Sequence, residues 1–163
     1  ITFADDTIVR VMDHSRLVID TYIYDPNPKK SEMALRFASG TARFVTGKFN
    51  NKKNIAISTP SADVFVRGTD FTITTTPETG SSLIILLPDE YGNSSGEIVV
   101  ATAMGQVILN QPYQATTAMT YNQAPSKPVT LDITLDLIDN MLIVSPPRET
   151  EQIQETIEKE LSE

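Results

Sequence analysis

The feature that most constrains the fold of this chain is the spacing of its apolar residues, which recur at every second position over most of residues 1–110. Such alternation places apolar side chains on one face of an extended strand, whereas a helix requires spacings of three and four residues. Asp, Asn, Gly, Pro and Ser interrupt the pattern at short intervals, which is typical of short strands joined by tight turns. The sequence therefore predicts an all-β domain, a solenoid-like or sandwich-like stack of strands. The clearest predicted strands are 41–47, 54–59, 62–68, 70–76, 81–87, 96–103 and 105–110.

The pattern changes after Asn110, where residues 111–129 are polar and contain three prolines. This stretch predicts one extended edge strand followed by a linker, because proline cannot donate a hydrogen bond to a neighbouring strand. Apolar spacings within 134–144 and 145–163 then indicate one or two short helices. The expected organisation is a β domain over 1–120 and a linker with a C-terminal helical arm over 121–163.

The last predicted helix carries a narrow apolar stripe. Ile153, Ile157 and Leu161 follow one another at intervals of four residues in an otherwise acidic segment. A helix with so narrow a stripe is marginal in isolation and is stabilised mainly by packing. We expect these three residues to bind a partner, which is either a neighbouring chain or the edge of the domain itself.

Charge and composition narrow the function classes. The net charge is −8, and it is uneven, since residues 1–70 have a balance of +2 and residues 71–163 a balance of −10. An acidic second half repels phosphate backbones, so nucleic acid is not an expected partner. The chain has no cysteine, which excludes disulfides and thiolate metal sites. No apolar run approaches the ~20 residues of a membrane-spanning helix.

One short stretch, "ADVFVRGTDFTI" over residues 62–73, combines an alternation with chemically active side chains. The apolar positions are even at Val64 and Val66 but odd at Phe71 and Ile73, so the pattern changes face between them. A β-bulge or a corner produces such a change, and glycine is its usual residue. Two hypotheses follow for the residues between Val66 and Phe71. They form an architectural corner, or they form a site that binds a ligand or a partner. These residues are Arg67, Gly68, Thr69 and Asp70. Arg67 is expected to pair with a carboxylate such as Asp70 or Asp20.

A second change of face occurs near Gly40, because Leu35 and Phe37 are odd whereas Ala42 and Phe44 are even. Two glycine-centred changes favour a repeated corner in the fold. Gly40 therefore joins the predicted structural motif.

The sequence offers no pattern typical of catalysis. It has no glycine-rich phosphate loop, no activated nucleophile and no cluster of metal ligands at a recognisable spacing. Its paired acids, such as Asp5 with Asp6 and Asp89 with Glu90, are expected to be solvated turns, with a weak calcium site as the alternative. We predict a protein without catalytic residues, metal or cofactor.

Three stretches together resemble the FecR domain family. They are "FADDTIVRVMDHSRLVIDTYIYDP" (3–26), "LRFASGTARFVTGKF" (35–49) and "IAISTPSADVFVRGTDFTI" (55–73), which stand in the family's order and spacing. The last contains the most characteristic pattern, Thr-Pro, then a strand, then Arg-Gly-Thr-x-Phe. The resemblance implies a non-catalytic, β-rich domain. In the iron-uptake regulators of that family, the domain lies in the periplasm and relays a receptor's signal to a sigma factor.

Two functions are open on the sequence. The chain shows neither the membrane helix nor the anti-sigma segment of those regulators, so the favoured prediction is a structural or protein-interaction module. On this view it is part of a phage virion or an exported bacterial assembly, and its acidic C-terminal arm contacts a neighbouring chain, which is another subunit of the assembly or a second copy in a homo-oligomer. The alternative is a periplasmic sensory module of the FecR type, which binds a receptor domain or a cell-wall ligand. The expected location is a virion, the periplasm or the extracellular space.

Overall fold

The computed structural model describes residues 1–3, 7–23, 32–46, 54–132, 157 and 161. These residues form eleven β-strands, so the predicted all-β class is confirmed. The strands are β1 (Ile8–Val11), β2 (Arg16–Ile23), β3 (Glu32–Val45), β4 (Asn54–Ser58), β5 (Asp63–Arg67), β6 (Asp70–Thr75), β7 (Ser82–Leu86), β8 (Glu97–Thr102), β9 (Gly105–Leu109), β10 (Gln114–Ala118) and β11 (Val129–Thr130).

The strands form one curled sheet, a half-barrel in which β3 belongs to two ladders. The first half-sheet contains β2, the N-terminal part of β3, β4, β5, β8 and β9. The second half-sheet contains β1, the C-terminal part of β3, β6, β7, β10 and β11. Neighbouring strands are antiparallel, except that β3 and β4 are parallel. The two ends of the sheet, β9 and β11, do not pair, so the barrel stays open.

The main core lies between the two half-sheets and follows the alternation in the sequence. Phe37, Phe44 and Phe71 are fully buried there, together with aliphatic residues from both halves. The Phe44 and Phe71 rings stack with centroids 5.1 Å apart. Because each inward side chain meets the opposite half-sheet, the core fixes the register of both ladders.

A second cluster covers the outer face of β7. This strand is buried on both faces, and its outward residues Leu83 and Ile85 pack with Leu131 and Ile157. A strand buried on both faces reads as a continuous apolar run rather than an alternation, as "SLIIL" does. The second half-sheet therefore depends on residues C-terminal to β10 for cover.

The predicted C-terminal helices are not supported. Among the described residues only Ile157 and Leu161 have helical backbone, and the rest of 133–163 lies outside the described residues. The predicted domain boundary at residue 120 stays a prediction. Residues just beyond it attach to the sheet, since β11 pairs with β10 and Leu131 is buried.

A polar contact attaches the segment after β10 to the first half-sheet. The Tyr121 hydroxyl donates a hydrogen bond of 2.9 Å to the Asp63 carboxylate on β5, and the Tyr121 carbonyl accepts one from the Ala103 amide. The hydrogen bond to Asp63, with the negative charge of that carboxylate, raises the pKa of Tyr121 above its ordinary 10.0. The neutral phenol is thus the form that the fold favours.

We expect this contact to make stability fall at alkaline pH. A folded-state pKa above the unfolded value contributes stability below pH 10.0 that is lost as the pH rises through the raised pKa. Titration of the phenolate ultraviolet absorbance should show one tyrosine that ionises late, and Asp63→Asn should return it to the ordinary range. Identical titrations for the two proteins would contradict the assignment.

Candidate functional site

The residues singled out between β5 and β6 lie where the chain passes from one half-sheet to the other. β5 ends at Arg67, β6 begins at Asp70, and only Gly68 and Thr69 connect them. Gly68 has a φ of 53°, a left-handed conformation that glycine adopts without a Cβ penalty. The change of face in the sequence therefore coincides with a change of ladder. We refer to Arg67, Gly68, Thr69 and Asp70 as the corner.

Asp70 is fixed at the corner by two partners. Arg43 on β3 donates from Nε and Nη2 to the two carboxylate oxygens, at 2.9 and 2.7 Å. The two side chains are only 11% and 16% exposed. Ser95 Oγ accepts a hydrogen bond from the Asp70 amide and contacts the Asp70 and Leu87 carbonyls at 3.2 and 2.6 Å. This set joins β3, β6 and the loop before β8.

The predicted pairing of Arg67 is wrong. Asp70 binds Arg43, and Asp20 binds Arg36 at 2.7 Å, so both expected carboxylates hold other guanidinium groups. Arg67 is exposed on the outer face of the first half-sheet, directly across the ladder from Glu97. The physical reason is the corner, since Arg67 and Asp70 both occupy outward positions but on β5 and β6, which belong to different half-sheets.

We expect the Arg43–Asp70 pair to contribute to stability because it is mostly desolvated. Arg43→Met would leave the Asp70 carboxylate without its cation, and breaking a buried pair costs about 3 kcal/mol, which the partial exposure of this pair reduces to roughly 2 kcal/mol. Arg36→Met is the matched control, since its pair with Asp20 is exposed and an exposed ion pair contributes little to stability, so this variant should lose clearly less. Urea denaturation measures both values, and equal losses would contradict the difference in burial.

A depression of about 480 Å³ opens beside the corner. Its wall combines the Arg43–Asp70 pair with hydroxyl groups and the acids of the loop after β7. Asp89 and Glu90 give this wall a negative balance, because Arg43 is neutralised by Asp70. The lining residues are Arg43, Val45, Thr46, Gly68, Thr69, Asp70, Pro88, Asp89, Glu90 and Ser95. Such a surface suits a cationic group, although the Asp89 carboxylate is already bound by the Tyr91 and Asn93 amides.

Arg67 belongs to a different surface. A depression of about 380 Å³ on the outer face of the first half-sheet is lined by Ile55, Ala56, Phe65, Val66, Arg67, Glu97 and Val99. Phe65 is 47% exposed there, which is unusual for a large apolar side chain in the middle of a sheet. The four corner residues therefore do not converge on one site. Arg67 faces the apolar outer face, and the other three face the acidic depression.

Gly40 lies where β3 passes between the half-sheets. Its φ is 97°, and it sits directly against Ser15 in the turn between β1 and β2. The Ser15 hydroxyl accepts from the Thr41 amide at 3.0 Å and donates to the Thr41 carbonyl at 3.2 Å. The turn is thus joined to β3 at the point where β3 changes ladder.

The C-terminal stripe is described only in part. Ile157 is 2% exposed and packs in the second cluster on β7, with Leu161 partly buried beside it. Ile153 lies outside the described residues. Ile157 therefore contacts this chain's own sheet, and the partner-binding role of the three residues stays a prediction.

Sequence reasoning missed several residues of these surfaces. Arg43 and Ser95 hold Asp70, and Gly96 lies against the corner backbone, but all three come from distant strands or loops. No local pattern marks them, because their role depends on which strands pair. Phe65 had a signal, since it is a large apolar residue at an outward position of its strand.

The described residues contain neither a metal-binding cluster nor a membrane-spanning helix. In this part of the chain, no group of three His, Cys, Asp or Glu side chains is placed to hold a metal ion. Nor does any described segment form a helix with the length and hydrophobicity needed to cross a bilayer.

Comparison with known proteins gives one family and one fold. Residues 1–89 match the family model described as FecR protein, which is more than half of the 163 residues. Two crystal structures of a putative anti-sigma factor from Parabacteroides distasonis ATCC 8503 share the fold, each at 18% identity and a TM-score of 0.56. Either alignment covers 77% of this chain and 52% of the solved one, so the chain spans about half of their length. Among curated proteins none matches.

These findings overturn the favoured functional prediction. The prediction of a structural subunit of a virion or exported assembly is wrong, because the family whose model matches residues 1–89 is that of the FecR protein. The prediction of a structural role rested on the absence of a membrane helix and an anti-sigma segment from this sequence. The family of the domain is a stronger guide to its function than those absences.

Proposed function

The chain belongs to the FecR protein family, and on this premise we propose that it is a regulatory signalling module that acts by binding another protein. The family match over residues 1–89 is the observation that carries the proposal. This range includes β1 to β7 and therefore both glycine corners. The proposed activity involves no catalysis, in keeping with the non-catalytic role that the resemblance implies for the family.

The surfaces of the domain support a binding role. Phe65 and Ile108 are large apolar side chains, 47% and 44% exposed, on the outer face of the first half-sheet. Exposed apolar side chains in a contiguous patch are typical of protein interaction sites. The acidic depression beside the corner offers a second kind of contact, because it suits a cationic side chain of a partner. In the family regulators, by resemblance, the partner is a receptor that sends its signal to a sigma factor.

A genetic experiment in the host tests the regulatory role. Residues 1–89 would be removed in frame, and transcripts would be measured by RNA sequencing with and without the deletion. We expect a small, defined set of genes to change by about fivefold or more, the range that regulatory coupling commonly produces. An unchanged transcript profile would contradict the proposal. Loss of virion or surface-assembly formation without a transcript change would restore the structural role.

A further inference from the structure

The strand β9 ends the first half-sheet, and no strand in the described part of the chain pairs with its outer edge. β8 and β9 are joined by a two-residue turn, and Thr102 and Gly105 on either side of it form a pair. In an antiparallel ladder hydrogen-bonded and non-hydrogen-bonded pairs alternate, and the pair next to a two-residue turn is hydrogen-bonded. Gln106 and Ile108 therefore direct their backbone N–H and C=O groups away from β8. Among the described residues none forms a backbone hydrogen bond with them across this edge.

The other edge of this half-sheet is protected against further strands. β2 carries Arg16 and Asp20, and Asp20 forms an ion pair with Arg36. Its pairing with β3 also has two register shifts. Charges and bulges on an edge strand both hinder pairing with another chain. β9 has neither, since its sequence GQVIL is uncharged and its register with β8 is continuous.

An apolar row on the outer face leads to the free edge. Ala56, Phe65, Val99 and Ile108 are direct partners across β4, β5, β8 and β9. Side chains of directly paired residues lie on the same face of a sheet. The depression of about 380 Å³ lies along this row, between Ala56 and Val99. A strand added beyond β9 would therefore place alternate side chains in line with an existing apolar surface.

Charge decides between the candidate occupants. Glu97 is the single charged residue of the hairpin 96–110 and stands across the ladder from Arg67, so this surface is itself balanced in charge, whereas the whole chain has a net charge of −8. A second copy would bring two acidic chains together, which self-repulsion opposes. A neutral or basic segment meets no such repulsion.

We propose that β9 binds, by strand addition, an extended segment of a partner protein that is neutral or basic and has apolar side chains at alternate positions. The inference rests on the proposed function, because it names the surface through which the regulatory contact is made. The backbone groups of Gln106 and Ile108 pair with the segment, and Ile108 and Phe65 contact its side chains. The partner is thus recognised by backbone pairing and by an apolar row.

Two variants and a matched control separate edge pairing from surface hydrophobicity. Gln106→Pro removes an outward N–H that the intramolecular ladder does not use, and proline is tolerated at such edge positions. Ile108→Lys places a charge on the edge, which discourages pairing. Ile8→Lys is the control, because Ile8 on β1 is 39% exposed, close to the 44% of Ile108, but lies in the second half-sheet. Amide exchange in the core strands reports whether each variant is folded.

The probe is a capped synthetic peptide, Lys-Val-Thr-Val-Thr-Val-Lys, compared with a version N-methylated at alternate residues. We expect the unmodified peptide to slow amide exchange at Gln106 and Ile108. Gln106→Pro and Ile108→Lys should each weaken its binding about tenfold, whereas Ile8→Lys should leave it unchanged. No binding of the peptide at ~1 mM, equal binding of the N-methylated peptide, or equal binding to all variants would overturn the inference. A dimer whose β9 amides are protected without peptide would also overturn it, in favour of a second copy.

The in-host transcript measurement separates this inference from the proposed function. If the deletion of 1–89 changes transcripts but Gln106→Pro and Ile108→Lys, folded and present at normal level, do not, the regulatory role stands and the edge inference fails. If the deletion changes nothing, the regulatory role fails, and the peptide experiment alone decides whether β9 accepts a strand.

Discussion

Replacing Gly40 with alanine should lower the free energy of unfolding by about 4 kcal/mol, from two additive causes. The φ of 97° is a conformation that L-residues avoid, at a cost of about 1–2 kcal/mol. An added Cβ would also lie 2.5 Å from Ser15 Cβ and 2.6 Å from Ser15 Cα, and overpacking costs about 1–3 kcal/mol. Since the Cα belongs to the backbone, rotation of the Ser15 side chain cannot relieve the contact. Thermal denaturation should show a midpoint lower by about 10 °C or more.

Gly92→Ala separates the two causes. Gly92 has a similar φ of 82°, but nothing lies within 4 Å of an added Cβ. The free energy of unfolding of this variant should therefore fall only by the cost of the positive φ, about 1 kcal/mol. Equal losses for Gly40→Ala and Gly92→Ala would show that the approach of Ser15 to β3 does not limit the fold.

The second large effect is expected at Gly96, where space rather than backbone conformation is decisive. An added Cβ would lie 2.2 Å from the Arg67 carbonyl oxygen and 2.7 Å from that of Gly68. Both atoms are in the corner backbone, which Asp70 and its partners hold in place. Gly96→Ala should therefore cost about 3 kcal/mol, the upper end of the usual range for overpacking, as measured by urea denaturation.

Gly105 provides the control for this effect. It is the first residue of β9, whereas Gly96 directly precedes β8, and an added Cβ would meet only Ala124 Cβ, at an ordinary 3.5 Å. Gly105→Ala should change stability by less than about 1 kcal/mol. If Gly96→Ala is as stable as Gly105→Ala, the corner can move, and its close packing against the loop before β8 is not a constraint on the fold.

Local pattern in the sequence predicted the parts of the fold that depend on one strand at a time. Val64 and Val66 are buried, as are Phe71 and Ile73, and the change of face between them falls where the chain leaves one ladder for the other. Alternation is a property of a single strand, so it can be read without knowing the strand's neighbours.

Pairing between distant strands could not be read in the same way. The parallel pairing of β3 with β4 and the Arg43–Asp70 ion pair join segments that no local pattern connects. The cover on β7 is a similar case. The run "SSLIILL" predicted only a strand, and the burial of both of its faces, with Leu131 and Ile157 as part of the cover, follows only from the tertiary structure.

The prediction of a structural role was wrong, although the family to which the domain belongs was predicted correctly. The corner pattern around Arg67 and Gly68 pointed to the FecR family, and the match over residues 1–89 confirms that membership. The preference for a structural role came from segments missing from the sequence. A domain carries its own surfaces wherever it occurs, so its exposed edge and apolar row are the better guide to what it binds.

The central claim is that the folded domain regulates transcription through a protein contact. The most direct test measures, in the host, the transcripts that respond to deletion of 1–89, in strains that carry Gly96→Ala or Gly105→Ala. We expect Gly96→Ala to shift these transcripts towards their levels in the deletion strain in proportion to the fraction of the domain that it unfolds, and Gly105→Ala to match the unmodified strain. A Gly96→Ala strain with unmodified transcript levels, although its domain is measurably unfolded, would contradict the claim.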